Sequence, residues 1–317
     1  MKQPVIIVNN LVKKINNKPI LNNISFNVER QEIFGYLGPN GAGKTTTLRI
    51  LLGLMKPTSG KALVLGDDLS KNINLRRKVG VVLENDGLYN KLTAYENLDF
   101  YSRIYGVSNG NERNRKIKEL LDLVGLYDEK DKKVGYYSRG MRRRLAIARA
   151  LIHDPEIVFM DEPTSGLDPE AKITIRNLIS QLAKERDATI FLISHDLDEV
   201  ERLCSKVAIL VNGRIAALNT TRKLIHSLER KSIEITFKNM KDAMKAAKYL
   251  DNKRILYNLH ENSIRIFYQD SNISRILKPL AIMGLKITDI KRSEESLYNV
   301  YLKIVRGGKY ETHIYPN

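Results

Sequence analysis

The sequence predicts an α/β fold, a mainly parallel sheet flanked by helices, followed by a small ferredoxin-like α+β module. Three observations carry this. Short apolar runs at 157–160, 189–193 and 206–211 alternate with helical segments, the rhythm of a parallel sheet covered on both faces. A glycine-rich turn, Gly38-Pro-Asn-Gly-Ala-Gly-Lys44-Thr45, joins an apolar run to a helical segment. From residue 231 the order becomes β-α-β-β-α-β.

The elements follow in order. Run 5–12, rich in Val and Ile, reads as a strand, and 20–28 as a second with half-buried alternation. Residues 32–37 form a short apolar run, and a helix is expected from 44 to about 53. A strand is expected at 58–65, and helices dominate the middle. Thr93 and Glu96 form a Thr-x-x-Glu capping box, after which Leu98, Tyr101 and Ile104 recur at helical spacing. Residues 115–124 and 141–152 are amphipathic with the same period. Beyond 231, strands are expected at 232–237, 254–259, 263–268 and 286–290, with helices at 242–250 and 273–283. These readings divide the chain into 1–228, 229–306 and a polar tail, 307–317.

The composition is that of an ordinary globular chain: 317 residues, 43% hydrophobic and 28% charged. Lys and Arg number 53 against 36 Asp and Glu, a net charge of +17. This excludes an acidic disordered tail protein and suits anionic company: nucleotide, nucleic acid or membrane surface. The single cysteine, Cys204, excludes an intrachain disulfide and a multi-cysteine metal site, and is expected to be a small buried residue. It fits a reducing compartment. No secretory signal is expected. No stretch reaches about 18 uninterrupted apolar residues, so any membrane role is expected to act from the surface, through a partner.

Gly38, Pro39, Asn40, Gly41, Ala42, Gly43, Lys44 and Thr45 match G-x-x-x-x-G-K-[ST] in the strand-to-helix context that this motif requires. Glycines let the backbone curl around an anion, so that successive N–H groups point at phosphate oxygens. The helix that follows, with Thr46 in its first turn, adds the positive end of its dipole. Lys44 supplies a cation for the outer phosphates, and the Thr45 hydroxyl suits Mg²⁺.

Asp161 and Glu162 follow the apolar run 157–160. In an open parallel sheet, ligands bind beyond the carboxyl ends of strands, and the phosphate loop leaves a strand at that same end. Asp161 then suits Mg²⁺ or its water, and Glu162, on a different face, suits orienting or deprotonating an attacking water. The plainer reading of this pair is an acidic helix N-cap before Pro163. Run 189–193 repeats the geometry and delivers His195 to the same edge, within reach of a γ-phosphate or a water. His153, His226, His260 and His313 lack such context. The run Arg142-Arg143-Arg144 reads as a solvated face or an interface rim.

Taken together, residues 3–225 resemble an ATP-binding cassette (ABC) ATPase. The most discriminating piece is Tyr137-Ser138-Arg139-Gly140-Met141, which is similar to the family's Leu-Ser-Gly-Gly-Gln signature and precedes a basic amphipathic helix. The resemblance implies a phosphate-loop ATPase cassette with an antiparallel β subdomain and a helical subdomain at about 85–150, binding ATP and Mg²⁺. It implies that Ser138 and the Gly140 backbone bind the γ-phosphate held by the opposite protomer. Asp168, in Ser165-Gly-Leu-Asp168, would lie in a loop crossing the dimer interface, and His195 would be the switch histidine. Residues 231–302, ending Ser296-Leu-Tyr-Asn-Val-Tyr-Leu302, resemble the C-terminal extension of cassette subunits that drive antibiotic, peptide or sodium export.

Three positions depart from the family pattern. Glu84 stands where the family has glutamine, so a charged oxygen replaces a neutral one toward the metal. Arg139 replaces a signature glycine and is expected to point to solvent. The aromatic that stacks on adenine is missing at Ile15, and residues 9–20 contain no Phe, Tyr or Trp. The function implied is the ATPase subunit of a membrane exporter: two copies close around two ATP, and hydrolysis reopens them. A separate membrane-spanning permease would dock on the segment between Glu84 and Leu98, holding the chain at the cytoplasmic face of the membrane. The competing class is a soluble cassette ATPase acting on nucleic acid or the ribosome, and a third is a purely regulatory role for 231–302. The charge permits the competing class, but the second cassette or long coiled-coil insertion of such members is lacking, so nucleic acid is not the expected partner.

Overall fold

The structure, a computed structural model, describes residues 4–107, 109–226, 231–268, 273–293 and 296–305. The expected tail at 307–317 and the expected boundary at 228/229 lie outside the described residues. The chain divides into two compact units, Met1–Thr221 and Arg222–Asn317.

Six strands form the core sheet of the first unit, in the order Val79–Val82, Ile157–Asp161, Thr189–Ile193, Ile33–Leu37, Lys206–Val211 and Arg214–Thr220. The first five run parallel and the sixth is antiparallel. Thr189–Ile193 is buried throughout, and Ile157–Asp161 up to its last residue, as strands covered on both faces must be. The sixth strand does not stand out by periodicity. Its signal is Asn212-Gly213, whose φ angles of 49° and 72° turn the chain back in a tight hairpin.

A three-stranded antiparallel sheet, in the order Lys18–Glu29, Pro4–Ile15 and Ser59–Val64, shares a core with the first. Phe26 stacks on Phe34 with ring centroids 5.4 Å apart, and Phe34, Tyr36 and Phe159 surround Phe191 at 5.4 to 5.5 Å. Such ring pairs add about 0.5–1.5 kcal/mol each beyond the area they bury. The buried Tyr36 hydroxyl is satisfied by Thr47 Oγ1 at 3.1 Å. That bond ties the phosphate-loop strand to the helix Lys44–Leu51.

Helices Ala94–Ile104, Gly110–Leu123 and Arg139–Leu151 pack against one another as a helical subdomain. The expected capping box is present: Glu96 N donates to Thr93 Oγ1, and Thr93 N donates to Glu96 Oε2. Leu98 is buried, but Ile104 is 57% exposed, because the apolar row leaves the core at the last residue of the helix. Asn97 is fully buried. Its Oδ1 accepts from Tyr89 N, and its Nδ2 donates to the carbonyls of Tyr89 and Thr93. Beside the core sheet, Glu199 is 1% exposed. Its Oε2 accepts from Ser194 Oγ at 2.6 Å. Burial pushes this carboxyl above its ordinary range, and the Ser194 bond opposes the shift. Cys204 is buried and free, as expected.

The second unit has a four-stranded antiparallel sheet, in the order Tyr257–His260, Ser263–Tyr268, Lys231–Phe237 and Ile287–Ser293. Helices Met240–Asn252 and Ser274–Ile282 complete the β-α-β-β-α-β order. Ala243, Ala246 and Leu250 of the first helix and Leu280 of the second pack on Ile233, Ile235, Ile264 and Ile266. A further helix, Leu297–Val305, follows.

Asn97→Ala is expected to destabilise the fold by about 2–3 kcal/mol, because three hydrogen bonds are lost and backbone groups lose their partner. Urea unfolding measures this, and a change below about 0.5 kcal/mol contradicts it. Glu199→Gln tests the buried carboxyl. Its folded pKa lies above the unfolded one, so its stabilising contribution is lost as pH rises through the folded value. Urea titrations at about pH 5 and about pH 8 should therefore find the Gln variant gaining on the wild type at the higher pH. A difference that does not change with pH contradicts the assignment.

Candidate active site

Three neighbouring strands end at one level. Asp161 pairs with Ile193, and Ile193 pairs with Tyr36. One sheet edge therefore delivers Asp161-Glu162, Ser194-His195 and the turn after Leu37 to the same place, where an open parallel sheet binds its ligands.

The turn is built as an anion cradle. Gly41 and Gly43 have φ of 79° and 111°, values that glycine adopts without strain. A Cβ at Gly43 would sit 2.7 Å from Leu21 Cδ2, whereas one at Gly41 would meet nothing within 4 Å. Gly43 thus serves packing, and Gly41 keeps the mouth of the turn open. Gly38 and Ala42 are buried, Pro39 and Thr46 half-buried, and Asn40 and Thr45 exposed. The helix Lys44–Leu51 starts here with no side-chain cap, so its first N–H groups point into the turn. Lys44 is 8% exposed, and its Nζ donates to Gly38 O at 2.7 Å and Pro39 O at 3.2 Å. Burial lowers its pKa, and the charges of Glu162 and Asp161 act against that.

Asp161 ends its strand half-buried. Burial, then Glu162 and Glu84, push its carboxyl above the ordinary range, opposed by Lys44 and Arg143. Glu162 takes a left-handed φ of 52°, at a cost of roughly 1–2 kcal/mol for a side chain with a Cβ. The turn keeps Glu162 N on Ile193 O at 2.8 Å and sets its Oε2 2.7 Å from His195 Nδ1. The Glu162 carboxylate is thus held beneath an imidazole whose side chain is 61% exposed. The pair is not a helix N-cap. The next helix, Pro169–Glu185, is capped by Asp168, whose Oδ1 accepts from Ala171 N at 2.9 Å.

Thr45, Asp161 and Glu84 are hard oxygen donors, the kind Mg²⁺ takes beside phosphate oxygens and water. Among the described residues, no group of three His, Cys, Asp or Glu side chains is arranged to hold a metal alone. The Glu84 side chain is exposed, and its charge adds to burial and Glu162 in raising the proton affinity of Asp161. The donor set therefore fits a cation shared with a phosphate ligand.

Ser138 caps the helix Arg139–Leu151, its Oγ accepting from Met141 N at 3.2 Å. A Cβ at Gly140 would lie 3.1 Å from Ala171 Cβ, so the two helices approach closely there. Ser138, Gly140, Asp168 and Ala171 line one recess of about 260 Å³, which Lys44, Thr45, Asp161, Glu162 and His195 do not line. Arg139 is exposed, with its Nη1 3.5 Å from Gly166 O. Ile15 ends its strand 41% exposed, opposite Lys18 across a turn at Asn16 and Asn17.

The arginine run does not form a solvated face. Arg142 grips the Asp86 carboxylate at 2.7 and 3.0 Å. Arg143 is 8% exposed and donates to Leu83 O and Glu84 O. Arg144 donates to the carbonyls of Val124 and Gly125. Arg149, further along the helix, donates to Val81 O at 2.9 Å and lies over the Tyr101 ring. The connecting segments have carbonyls without sheet or helix partners, and guanidinium groups fill that need. The missed signal was spacing: Arg143 shares a helical face with the buried Ile147 and Ala150. His153 is structural, stacked on Tyr105 at 3.8 Å with Nε2 on Val79 O. His313 lies outside the described residues.

The ABC transporter family model matches residues 21–165. The bacitracin transport ATP-binding protein of Bacillus licheniformis is 37% identical, over 96% of this chain and 98% of its own length. The fluoroquinolones export ATP-binding protein of Mycobacterium tuberculosis is 39% identical, over 73% of this chain and 75% of its own. Among solved structures, a dimeric ATP-binding cassette in a post-hydrolysis state with ADP and phosphate is 29% identical with a TM-score of 0.60. That match covers 68% of this chain and 98% of the cassette. The chain belongs to the ABC transporter family and is an ATP-binding, ATP-hydrolysing cassette of it.

Proposed function

We propose that this ATPase works as two copies closing around two ATP molecules and powers a separate membrane-spanning exporter of antibiotic, peptide, ion or lipid-like cargo. One observation carries the reading. Lys44, Asp161, Glu162 and His195 share a sheet edge, whereas Ser138, Gly140 and Asp168 share a recess that none of those four lines. A triphosphate held by Lys44 therefore meets Ser138 and Gly140 of a second copy, with Asp168 at the crossing. The relatives' names point to transport of bacitracin and export of fluoroquinolones. No helix among the described residues is long and apolar enough to cross a membrane. The reading places the membrane-spanning part on a separate permease chain and this cassette peripherally at the cytoplasmic face. Segment 84–98 suits docking: Tyr89 is 46% exposed and, with Phe100, forms an edge-to-face pair at 5.0 Å. The inward-turned arginines favour this reading over nucleic-acid binding.

The chain's own residues supply the rest. Lys44 leaves the carbonyls of Gly38 and Pro39 for the outer phosphates, and the N–H groups at 41–46 take phosphate oxygens. Thr45, Asp161 and Glu84 would hold Mg²⁺, which when bound would neutralise phosphate charge. The Glu162 carboxylate accepts a proton from the attacking water, and His195, bonded to it, fixes its direction. Ser138 and the Gly140 N–H, at a helix N-terminus, meet the γ-phosphate from the far side.

Glu162→Gln should bind ATP but turn it over at least about a hundredfold more slowly, the scale of losing a general base. It should also form an ATP-dependent dimer on sizing. Near-normal turnover contradicts the role of Glu162. With no aromatic at Ile15, grip on the base is weak, so ATP and GTP should bind alike. Ile15→Tyr should tighten ATP by up to about tenfold. Strong ATP preference in the wild type, with no gain from Tyr, contradicts this.

A further inference from the structure

We propose that Lys172 is a positioning residue for ATP turnover: its ion pair with Asp196 fastens the far end of the loop 163–168 to the turn that carries His195. The proposal rests on the reading of Glu162 as the base, His195 as its partner and Asp168 as the point where a second copy crosses. The loop starts after Glu162, whose Oε2 lies 2.7 Å from His195 Nδ1. It ends at Asp168, which caps the helix Pro169–Glu185. Lys172 stands one turn into that helix, its N–H donating to Asp168 O at 3.0 Å. Its Nζ donates to Asp196 Oδ2 at 3.0 Å. His195 and Asp196 are neighbours in the chain, so two successive residues hold the two ends of one loop.

The parts between are internally bonded. Ser165 N donates to Glu162 O at 3.2 Å and Leu167 N to Thr164 O at 3.3 Å, so the loop is two linked turns. On the other side, Asp196 N donates to Ser194 Oγ at 3.0 Å, and Asp196 Oδ1 accepts from Glu199 N at 3.2 Å. Ser194 Oγ in turn donates to the buried Glu199 Oε2 at 2.6 Å. Asp196 is thus fixed within its own turn, and Lys172 ties that turn to the end of the loop. Docking of the helix does not need this pair. Ile175, Leu178, Ile179 and Leu182 of the helix are buried, and Arg176 Nη1 donates to Asp198 Oδ2 at 2.6 Å one turn further on. The Lys172 and Asp196 side chains are 32% and 27% exposed, and pairs that water reaches add little to stability. What the pair supplies is register between the loop and the His195 turn. A misplacement of about 1 Å can cost about a hundredfold in rate, so register is felt in turnover. Contact of a second copy with Asp168 then reaches Glu162 and His195 through both ends of the loop.

The test is ATP turnover and ATP binding by the full chain, compared across wild type, Lys172→Met, Lys172→Arg, Asp196→Asn, Lys172→Met with Asp196→Asn, and Arg176→Gln. Met keeps the apolar stem of the lysine and loses its charge, and Asn keeps the helix cap and loses the carboxylate. Lys172→Met and Asp196→Asn should each lower maximal turnover about fivefold or more, with ATP affinity within about twofold of wild type. The double variant should be at most about twofold slower than either single variant, since both break the same pair. Lys172→Arg, which keeps the charge, should retain at least about half the turnover. Arg176→Gln loosens the same two elements away from the loop and should stay within about twofold of wild type. Unchanged turnover in Lys172→Met, losses that multiply in the double variant, an Arg variant as slow as the Met variant, or an equal loss in Arg176→Gln each overturn the proposal. A Lys172→Met chain that does not fold overturns it too, because the pair is then structural. Glu162→Gln in the same assay scores the reading of the site separately. Near-normal turnover there overturns Glu162 as the base, whereas an inactive Glu162→Gln beside an unaffected Lys172→Met overturns the role of Lys172 alone.

Discussion

Asp161 and Glu162 stand at one sheet edge beside a nearly buried lysine, and like charges held that close must be balanced or they drive the edge apart. Lys44 is drawn over its own turn, bonded to Gly38 and Pro39 and felt by two carboxylates. Glu162 is turned aside by a left-handed backbone and locked to His195. Each feature keeps concentrated negative charge in a shape that a cation and a polyanion can enter together. The strain at Glu162 is tolerated because its N–H continues the sheet through Ile193. The shared aromatic core beneath keeps the three strand ends level.

A second constraint is mechanical. The segment 83–90 follows the strand Val79–Val82 and has no ladder of its own. The helix Arg139–Leu151 supplies partners for it instead, through Arg142 and Arg143. The connection that carries Glu84 and the exposed aromatic Tyr89 is thereby tied to the helix that Ser138 caps.

Much of this was legible in the sequence, and for identifiable reasons. The phosphate turn is read from residue type and spacing because its glycines, lysine and threonine each have one chemical task. The apolar runs at 157–160 and 189–193 are uniform because their strands are buried on both faces, so Asp161, Glu162 and His195 could be assigned to one edge. What failed was the charge of buried residues. Arg142-Arg143-Arg144 looks like a solvated run, since nothing local says that carbonyls from 83–84 and 124–125 will need donors. Glu199 and Asn97 are silent for the same reason, because their partners are fixed by tertiary placement. The strand Arg214–Thr220 was missed because its mixed polarity suits an antiparallel sheet edge rather than a buried run.

The central claim is that the site is completed by a second copy. The most direct measurement is a crystal structure of Glu162→Gln with ATP and Mg²⁺. The account predicts two copies related by symmetry, with each γ-phosphate between Lys44 of one and Ser138 and Gly140 of the other. Nucleotide bound by Lys44 in a lone copy, with both Ser138 recesses turned to solvent, would contradict it.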